Sequence, residues 1–246
     1  DKVATREAQK TYNLVDWAGF EALAPGAPLA LWRDGMGIPA EKTAELVVRE
    51  PGFVTGLAAL LTEDRLPAWR DWLAWQVIRS NASSLTREIV DASFAFYGTA
   101  LTGTPQLRAR WKRGVGLVEG VLGEAVGRIY VQRHFPPASK TAMDELVADL
   151  IEAYRRSIET LDWMGPATRE RALEKLGKFT PKIGYPVRWR DYSALTIVPD
   201  DLLANVRAAE EFEFQRELRK IGAPVDRDEW FMTPQTINAY YNPGFN

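Results

Sequence analysis

Hydrophobic side chains recur every three or four residues over several long stretches of the chain, which is the period of an α-helix with one buried face. The clearest stretch runs from Met143 to Leu161, where charged residues such as Asp149 and Arg155 occupy the other positions. This pattern predicts an amphipathic helix. Its apolar stripe consists of Met143, Leu146, Val147, Leu150, Ile151, Tyr154, Ile158 and Leu161.

Two further helices are predicted after this one, and both have recognisable ends. The first begins at Gly165-Pro166, where proline suits the first helical position, and continues toward Phe179. The second follows Asp200 or Asp201 as its N-cap and stops at Gly222. The C-terminal half of the chain is therefore predicted to be mostly helical.

A helix rich in tryptophan is predicted upstream. One helical stripe is widened by two further tryptophans, so we expect this helix to be buried on more than one side and to belong to the core. The stripe consists of Leu66, Trp69, Leu73 and Val77, and the two widening residues are Trp72 and Trp75.

Four glycines spaced three or four residues apart follow the basic run Arg108–Arg113. Their spacing does not fit a dinucleotide-binding loop and no strand precedes them, so a phosphate site is disfavoured. The same spacing places them on one face of a helix, which indicates close packing of another segment against that face. The four are Gly116, Gly120, Gly123 and Gly127.

The segment 180–198 contains several prolines and a glycine between alternating polar and aromatic residues. Such composition is typical of an irregular connection between domains. We therefore predict a domain boundary here, with residues 1–195 in one domain and 196–246 in the next.

A short β-prone run follows Pro234. Its side chains alternate, which predicts a half-buried strand: Ile237, Ala239 and Tyr241 share one face and Thr236, Asn238 and Tyr240 the other. An edge strand can pair its free N–H and C=O groups with an extended peptide. The side-chain amide of Asn238 adds one donor group and one acceptor to that edge.

Composition narrows the possible functions. The 246 residues are 46% hydrophobic and carry a net charge of −2, so the chain can bury a core but has no general attraction for nucleic acid. The run Arg108–Arg113 is therefore interpreted as a solvated helix face. The uncharged apolar run Pro51–Thr62 has twelve residues and two glycines, which is too short to span a membrane. The absence of cysteine excludes disulfides and thiolate metal ligands, and leaves the compartment open.

Candidate catalytic chemistry is sparse. His134 is the only histidine, so the chain cannot supply the two imidazoles of a zinc-binding helix, and we expect His134 to be a turn or packing residue. The Gly-x-Ser-x-Gly pattern of many serine hydrolases is missing. No catalytic or metal-ligating residue is therefore assigned.

The sequence Asn238-Ala239-Tyr240-Tyr241 resembles the substrate-binding Asn-Ala-aromatic-Tyr strand of the neprilysin family of zinc metallopeptidases. Further segments resemble landmarks of that family in the same order and together cover nearly the whole chain. Within the family, the chain resembles in particular the actinobacterial members, such as the mycobacterial zinc metalloprotease. These segments are 95–98, 111–113, 130–137, 161–164, 183–186, 189–193 and 224–230.

The resemblance implies a mainly α fold: a helical lid domain over residues 1–195, then the first helix and the edge strand of a thermolysin-like α+β catalytic domain. In the family, a His-Glu-x-x-His helix and a downstream glutamate hold zinc, and all of them lie C-terminal to the Asn-Ala strand. We therefore expect an internal fragment of a zinc metalloendopeptidase. Its zinc ligands would lie beyond residue 246, so the chain alone would bind no metal and be inactive.

The resemblance also implies the binding residues and the partners. The side-chain amide of Asn238 is expected to hydrogen-bond the substrate backbone, and the carbonyl of Ala239 to accept from a substrate N–H. Tyr240 and Tyr241 are expected to anchor the strand, in preference to contacting the substrate directly. The expected partners are short oligopeptides, which fit an enclosed chamber, and the missing C-terminal catalytic segment. A bacterial protein is expected, exported or envelope-associated in preference to cytoplasmic.

Two alternatives remain open. A non-catalytic helical module could bind a protein partner through exposed aromatic side chains. A helical scaffold could bind nucleic acid through Arg108–Arg113, although the net charge disfavours it.

Overall fold

The structure, a computed structural model, describes residues 4–241 as ten α-helices and two short strands. The helices are α1 (Ala8–Thr11), α2 (Trp17–Leu23), α3 (Leu29–Gly35), α4 (Pro51–Ala58), α5 (Leu66–Asn81), α6 (Arg87–Ser93), α7 (Arg110–His134), α8 (Pro137–Thr160), α9 (Pro166–Gly177) and α10 (Leu202–Lys220). The strands are β1 (Leu14–Asp16) and β2 (Glu45–Val47), and a π-helical segment, Phe94–Ala100, follows α6. The prediction of a mainly α chain is confirmed.

The chain divides into two units. The first comprises the residues up to Leu107 together with Glu213–Ala223, and the second comprises Arg108–Phe212 together with the residues from Pro224 onward. Helix α10 therefore begins in the second unit and ends in the first. The domain boundary predicted after residue 195 stays a prediction.

The only sheet among the described residues lies in the first unit. Strands β1 and β2 pair antiparallel, with Val15 opposite Leu46. One further hydrogen bond continues this pairing beyond the strands: the N–H of Val48 donates to the Asn13 carbonyl, with 2.8 Å between N and O. Asp16 then caps α2, because its carboxylate accepts from the N–H of Gly19 at 2.7 Å.

Helix α5 forms as predicted, but its predicted burial is wrong. The side chains of Trp72, Trp75 and Val77 are 46%, 49% and 63% exposed. Within the described residues this apolar surface is therefore only partly covered. The indole N–H of Trp69 in the same helix donates to the Leu60 carbonyl at 2.8 Å. The hydrophobic pattern predicted an apolar helix correctly. It could not show whether the surface that buries this helix belongs to the same stretch of chain.

The three helices predicted in the C-terminal half of the chain are confirmed. Helix α8 covers the amphipathic stretch, and α9 begins at Pro166 with Gly165 as its N-cap. Arg169 on α9 donates to the carbonyls of Leu161 and Met164, at 2.8 and 3.1 Å, and so ties the start of α9 to the end of α8. At α10 the Asp201 carboxylate accepts from the Ala204 N–H at 2.9 Å, as expected of an N-cap.

The irregular connection predicted between α9 and α10 is also confirmed, and stacked rings hold its middle part. Tyr185 stands edge-on to Phe135 and stacks on Trp189, with ring centroids 5.8 and 6.3 Å apart. Gly184, with φ of 75°, lies against Phe135, where an added Cβ would be 2.8 Å from a ring carbon. Only glycine fits this turn without strain.

Apolar surface is exposed to an unusual extent. The accessible area is 18401 Å², whereas two separate domains of half this mass would together expose about 13,000 Å². Among the described residues, the buried apolar side chains are no larger than valine. No described helix combines the length and the apolar character that a membrane span requires.

Candidate functional site

The two predicted binding residues, Asn238 and Ala239, lie in an exposed segment, 236–241. This segment contains no strand, so the predicted strand is wrong for the described chain. A strand requires a neighbouring strand to complete its hydrogen bonds, and none of the residues 4–241 provides one. The half-burial predicted for the strand is also wrong, because residues 236–241 are all exposed and Ile237 is fully so.

The hydrogen bonds of this segment are local. The N–H of Asn238 donates to the Thr236 carbonyl at 3.1 Å. The side-chain Oδ1 of Asn238 accepts from the N–H of Ala239 at 2.8 Å. Neither the Nδ2 group of Asn238 nor the carbonyl oxygen of Ala239 has a partner among the described residues. One donor group and one acceptor are therefore available to a ligand.

The bond between Asn238 and Ala239 fixes the orientation of the side-chain amide. Because Oδ1 is held by an N–H group, the free end of the amide is its NH₂ donor. A peptide carbonyl is the natural partner of such a donor, and a peptide N–H is the natural partner of the Ala239 carbonyl. Asn238 and Ala239 can therefore bind a peptide backbone through one of its carbonyl groups and one of its N–H groups.

A tight turn precedes the segment. The N–H of Thr236 donates to the Thr233 carbonyl at 3.0 Å, and the hydroxyls of these two threonines lie 2.8 Å apart. The turn contains Pro234 and Gln235, and its residues are partly buried except for Thr236. It sets the point from which the exposed segment departs.

The turn is seated on helix α7. The Glu119 carboxylate accepts from the Thr233 hydroxyl at 2.5 Å and from the Gln235 side-chain amide at 2.6 Å. The same Gln235 amide also donates to the carbonyl of Gly123 at 2.9 Å. Helix α7 departs from helical geometry at Leu122, where φ is −127° and ψ is 27°, directly before this carbonyl.

Two glycines make this close contact possible. A Cβ at position 123 would lie 2.7 Å from Thr233 Cγ2, and one at position 127 would lie 2.8 Å from Pro234 Cδ. Gly123 and Gly127 belong to the glycine face predicted from the sequence, so the prediction of close packing is confirmed for them. Around Gly116 and Gly120, by contrast, no other segment of residues 4–241 would lie within 4 Å of an added Cβ.

A cavity of about 610 Å³ adjoins the segment, and Asn238 and Ala239 are part of its lining. Helix α8 contributes Met143, Val147 and Ile151, which belong to the amphipathic stripe. The rings of Phe179 and Tyr241 stack at its edge, with centroids 5.5 Å apart. Tyr240 stands edge-on to Phe231 at 6.3 Å. The anchoring roles expected of the two tyrosines stay a prediction.

A buried carboxylate lies on α7 one residue beyond Gly123. Glu124 is 8% exposed and accepts from the backbone N–H of Arg190 at 2.7 Å. The Arg190 guanidinium lies 3.7 Å from the same carboxylate. Nearby, the Ser193 backbone N–H and hydroxyl lower the pKa of Asp191. The contact between Glu124 and Arg190 attaches the connection before α10 to helix α7.

The described residues do not form a metal site. No group of three or more histidine, aspartate or glutamate side chains in residues 4–241 is arranged to hold an ion. The single histidine, His134, ends α7 and packs against Tyr130, with ring centroids 5.3 Å apart. The residues present therefore do not fit a catalytic zinc ion.

Sequence reasoning missed Glu119 and Gln235. They lie 116 positions apart, and no local pattern marks either of them. The one available signal was the glycine face of α7, which indicated that a segment packs there without showing which one.

Comparison with known proteins places these features in context. The family model described as peptidase family M13 matches residues 1–186. Neprilysin-3 of Drosophila melanogaster is 31% identical over 213 residues, which are 82% of this chain and 27% of that protein. Human endothelin-converting enzyme 1 is 28% identical over 254 residues, 98% of this chain and 32% of that protein. The chain thus spans less than half the length of these curated relatives.

Solved structures are similar over almost the whole chain. The zinc metalloprotease Zmp1 of Mycobacterium tuberculosis in complex with an inhibitor is 51% identical with a TM-score of 0.91, over 99% of this chain and 37% of that one. The open state of the same protein is 52% identical with a TM-score of 0.87, over 99% of this chain and 38% of that one.

Proposed function

Because the chain belongs to peptidase family M13, as the match over residues 1–186 shows, we propose that it is the central portion of a zinc-dependent endopeptidase that cleaves short peptides. The resemblance to neprilysins read from the sequence is thereby confirmed. The names of its relatives, among them a neprilysin and a zinc metalloprotease, support the proposed activity.

The proposed contribution of this chain is to hold the peptide. Asn238 would donate from its side-chain amide to a peptide carbonyl, and the Ala239 carbonyl would accept from a peptide N–H. The observation that carries this assignment is the exposed position of both residues, together with the unpartnered NH₂ group of Asn238 and the unpartnered carbonyl of Ala239 among the described residues. Each such bond is worth about 1 kcal/mol, enough to set register but not to bind tightly.

Holding the peptide matters because the rate depends on orientation. A backbone fixed on both sides of one residue presents the next peptide bond in a defined position. The zinc ion and its ligands are proposed to belong to other parts of the complete protein, since the residues described here do not supply them.

The helical residues 1–195 are proposed to form a lid over the catalytic lobe, and that lobe is proposed to be the covering partner of this chain. The exposed tryptophans of α5 and the exposed stripe residues Leu146 and Leu150 of α8 support a covering partner. Isolated domains rarely leave such surface bare. The expectation of an exported or envelope-associated bacterial protein rests on the resemblance, and cell fractionation tests it.

The experiment that tests this proposal compares the full-length protein with residues 1–246. Zinc content and hydrolysis of a short internally quenched peptide are measured for both. We expect the full-length protein to bind zinc and cleave the peptide, and residues 1–246 to do neither. A full-length protein that has no His-Glu-x-x-His sequence and binds no zinc would overturn the proposal.

The exposed aromatic surface of α5 also favours a second candidate, a non-catalytic helical module that binds a protein partner. The same experiment separates the two. This candidate requires a full-length protein without peptidase activity.

A further inference from the structure

The peptide-binding segment has few fixed points of its own. Asn238 and Ala239 bond only to their near neighbours, and their side chains are exposed. On the C-terminal side the ring of Tyr241 stacks on Phe179. On the N-terminal side the polypeptide is held at the turn 233–236. On this side, the position of Asn238 is therefore set by whatever fixes the turn.

The turn is fixed by a carboxylate that serves two donors at once. One oxygen of Glu119 accepts from the Thr233 hydroxyl and the other from the Gln235 amide. Hydrogen bonds to an ionised carboxylate are stronger than those between neutral groups. Partial burial of all three side chains keeps water from competing for them.

The contact is also specific in shape. Gln235 reaches the Gly123 carbonyl with the same NH₂ group that binds Glu119. Gly123 and Gly127 leave no room for a Cβ, so the turn lies directly on the helix backbone. The Glu119 carboxylate, the Gly123 carbonyl and the surface formed by the two glycines together favour one position of the turn along α7.

We propose that Glu119 and Gln235 are positioning residues for peptide binding: they act through Asn238, three residues beyond Gln235, by fixing its place relative to helix α7. This inference rests on the proposed function of Asn238. Neither residue is proposed to touch the substrate. Without the hydrogen bonds between Glu119 and the turn, the exposed segment would no longer have one fixed position relative to α7. Part of the free energy of peptide binding would then be needed to order the segment.

The test is a double-mutant cycle in the full-length protein, with an internally quenched peptide as substrate. Glu119→Ala is expected to lower kcat/KM by about five- to tenfold, with zinc content unchanged. On the Asn238→Ala background the same substitution is expected to change kcat/KM by less than about twofold, because its effect passes through Asn238. Glu170→Ala, which removes an exposed carboxylate on α9, is the control and should leave kcat/KM unchanged.

A second measurement exchanges the carboxylate of Glu119 and the amide of Gln235, in case the alanine variant folds poorly. Gln235→Glu places two carboxylates against each other and should lower kcat/KM more than Glu119→Ala does. Adding Glu119→Gln restores a donor and an acceptor and should recover part of the loss.

Each outcome has a defined meaning. If Glu119→Ala lowers kcat/KM by the same factor with and without Asn238, its role is only structural and the inference is overturned. If Asn238→Ala has no effect, the proposed peptide contact fails first and the inference fails with it. If Asn238→Ala lowers kcat/KM while Glu119→Ala and Gln235→Glu do not, the contact stands and the inference alone is wrong.

Discussion

Glu119 on helix α7 and Gln235 in the turn before the exposed segment share a hydrogen bond of 2.6 Å, although 116 positions of sequence separate them. This bond, with the one from Thr233 to the same carboxylate, places the turn on a glycine surface of the helix. The exposed segment with Asn238 leaves from that point. The proposed peptide site is therefore fixed by helix α7 as well as by its own residues.

The glycines of α7 should respond to the same substitution in opposite directions. Gly127→Ala is expected to destabilise the protein by about 1–3 kcal/mol, because its Cβ would meet Pro234 and force the turn away. Gly116→Ala, in the same helix with open space around it, should stabilise by about 0.5–1 kcal/mol through helix propensity. Urea unfolding of both variants measures the difference. Equal effects would show that the turn does not press on Gly127.

The buried carboxylate of Glu124 provides another stability test. Glu124→Ala is expected to cost about 1–3 kcal/mol, because the Arg190 backbone N–H loses its acceptor in a buried place. Glu124→Gln keeps an acceptor oxygen and should cost less. The measurement is the free energy of unfolding in denaturant. If both variants matched the wild type, the link between α7 and the connection before α10 would be unimportant.

A pH effect is expected on the surface of α8. Hydrogen bonds from Arg155 and then Arg156 lower the pKa of Glu152 from 4.5 to about 2, and Glu152 and Glu159 raise the pKa of Arg155. Since the folded pKa of Glu152 lies below the unfolded one, its contribution to stability is complete above about pH 4.5. That contribution is lost as the pH falls toward about 2.

The carboxyl carbon of Glu152 in an NMR titration reports this directly. We expect the group to remain ionised at about pH 3.5, where an ordinary glutamate is mostly protonated. The stability difference between wild type and Glu152→Gln should shrink over the same range. A midpoint at the ordinary glutamate value would show that the arginines do not hold this carboxylate in solution.

Local patterns predicted the fold well where the reason for the structure was local. The stripe of α8, the proline at the start of α9 and the Asp201 cap of α10 each depend on residues within a few positions. The irregular connection before α10 followed in the same way from its prolines and glycine.

The predictions were wrong where the structure depends on residues far away in the sequence. The stripe of α5 showed apolar character, but burial needs a covering surface, and the described residues provide none. Residues 236–241 alternate like a strand, yet a strand needs a pairing partner. Asn238 and Ala239 were identified by resemblance, and their role stays a prediction, whereas the Glu119–Gln235 contact was visible only in three dimensions.

Asn238 is proposed to donate from its side-chain NH₂ group to a bound peptide while its side-chain oxygen accepts from the N–H of Ala239. Two variants of the full-length protein test it, Asn238→Ala and Asn238→Asp; the second keeps the oxygen but has no NH₂ donor. The measurement is kcat/KM for a short peptide, with zinc content determined in parallel. We expect kcat/KM to fall by about fivefold or more in both variants at unchanged zinc content. Wild-type kcat/KM in either variant would contradict it.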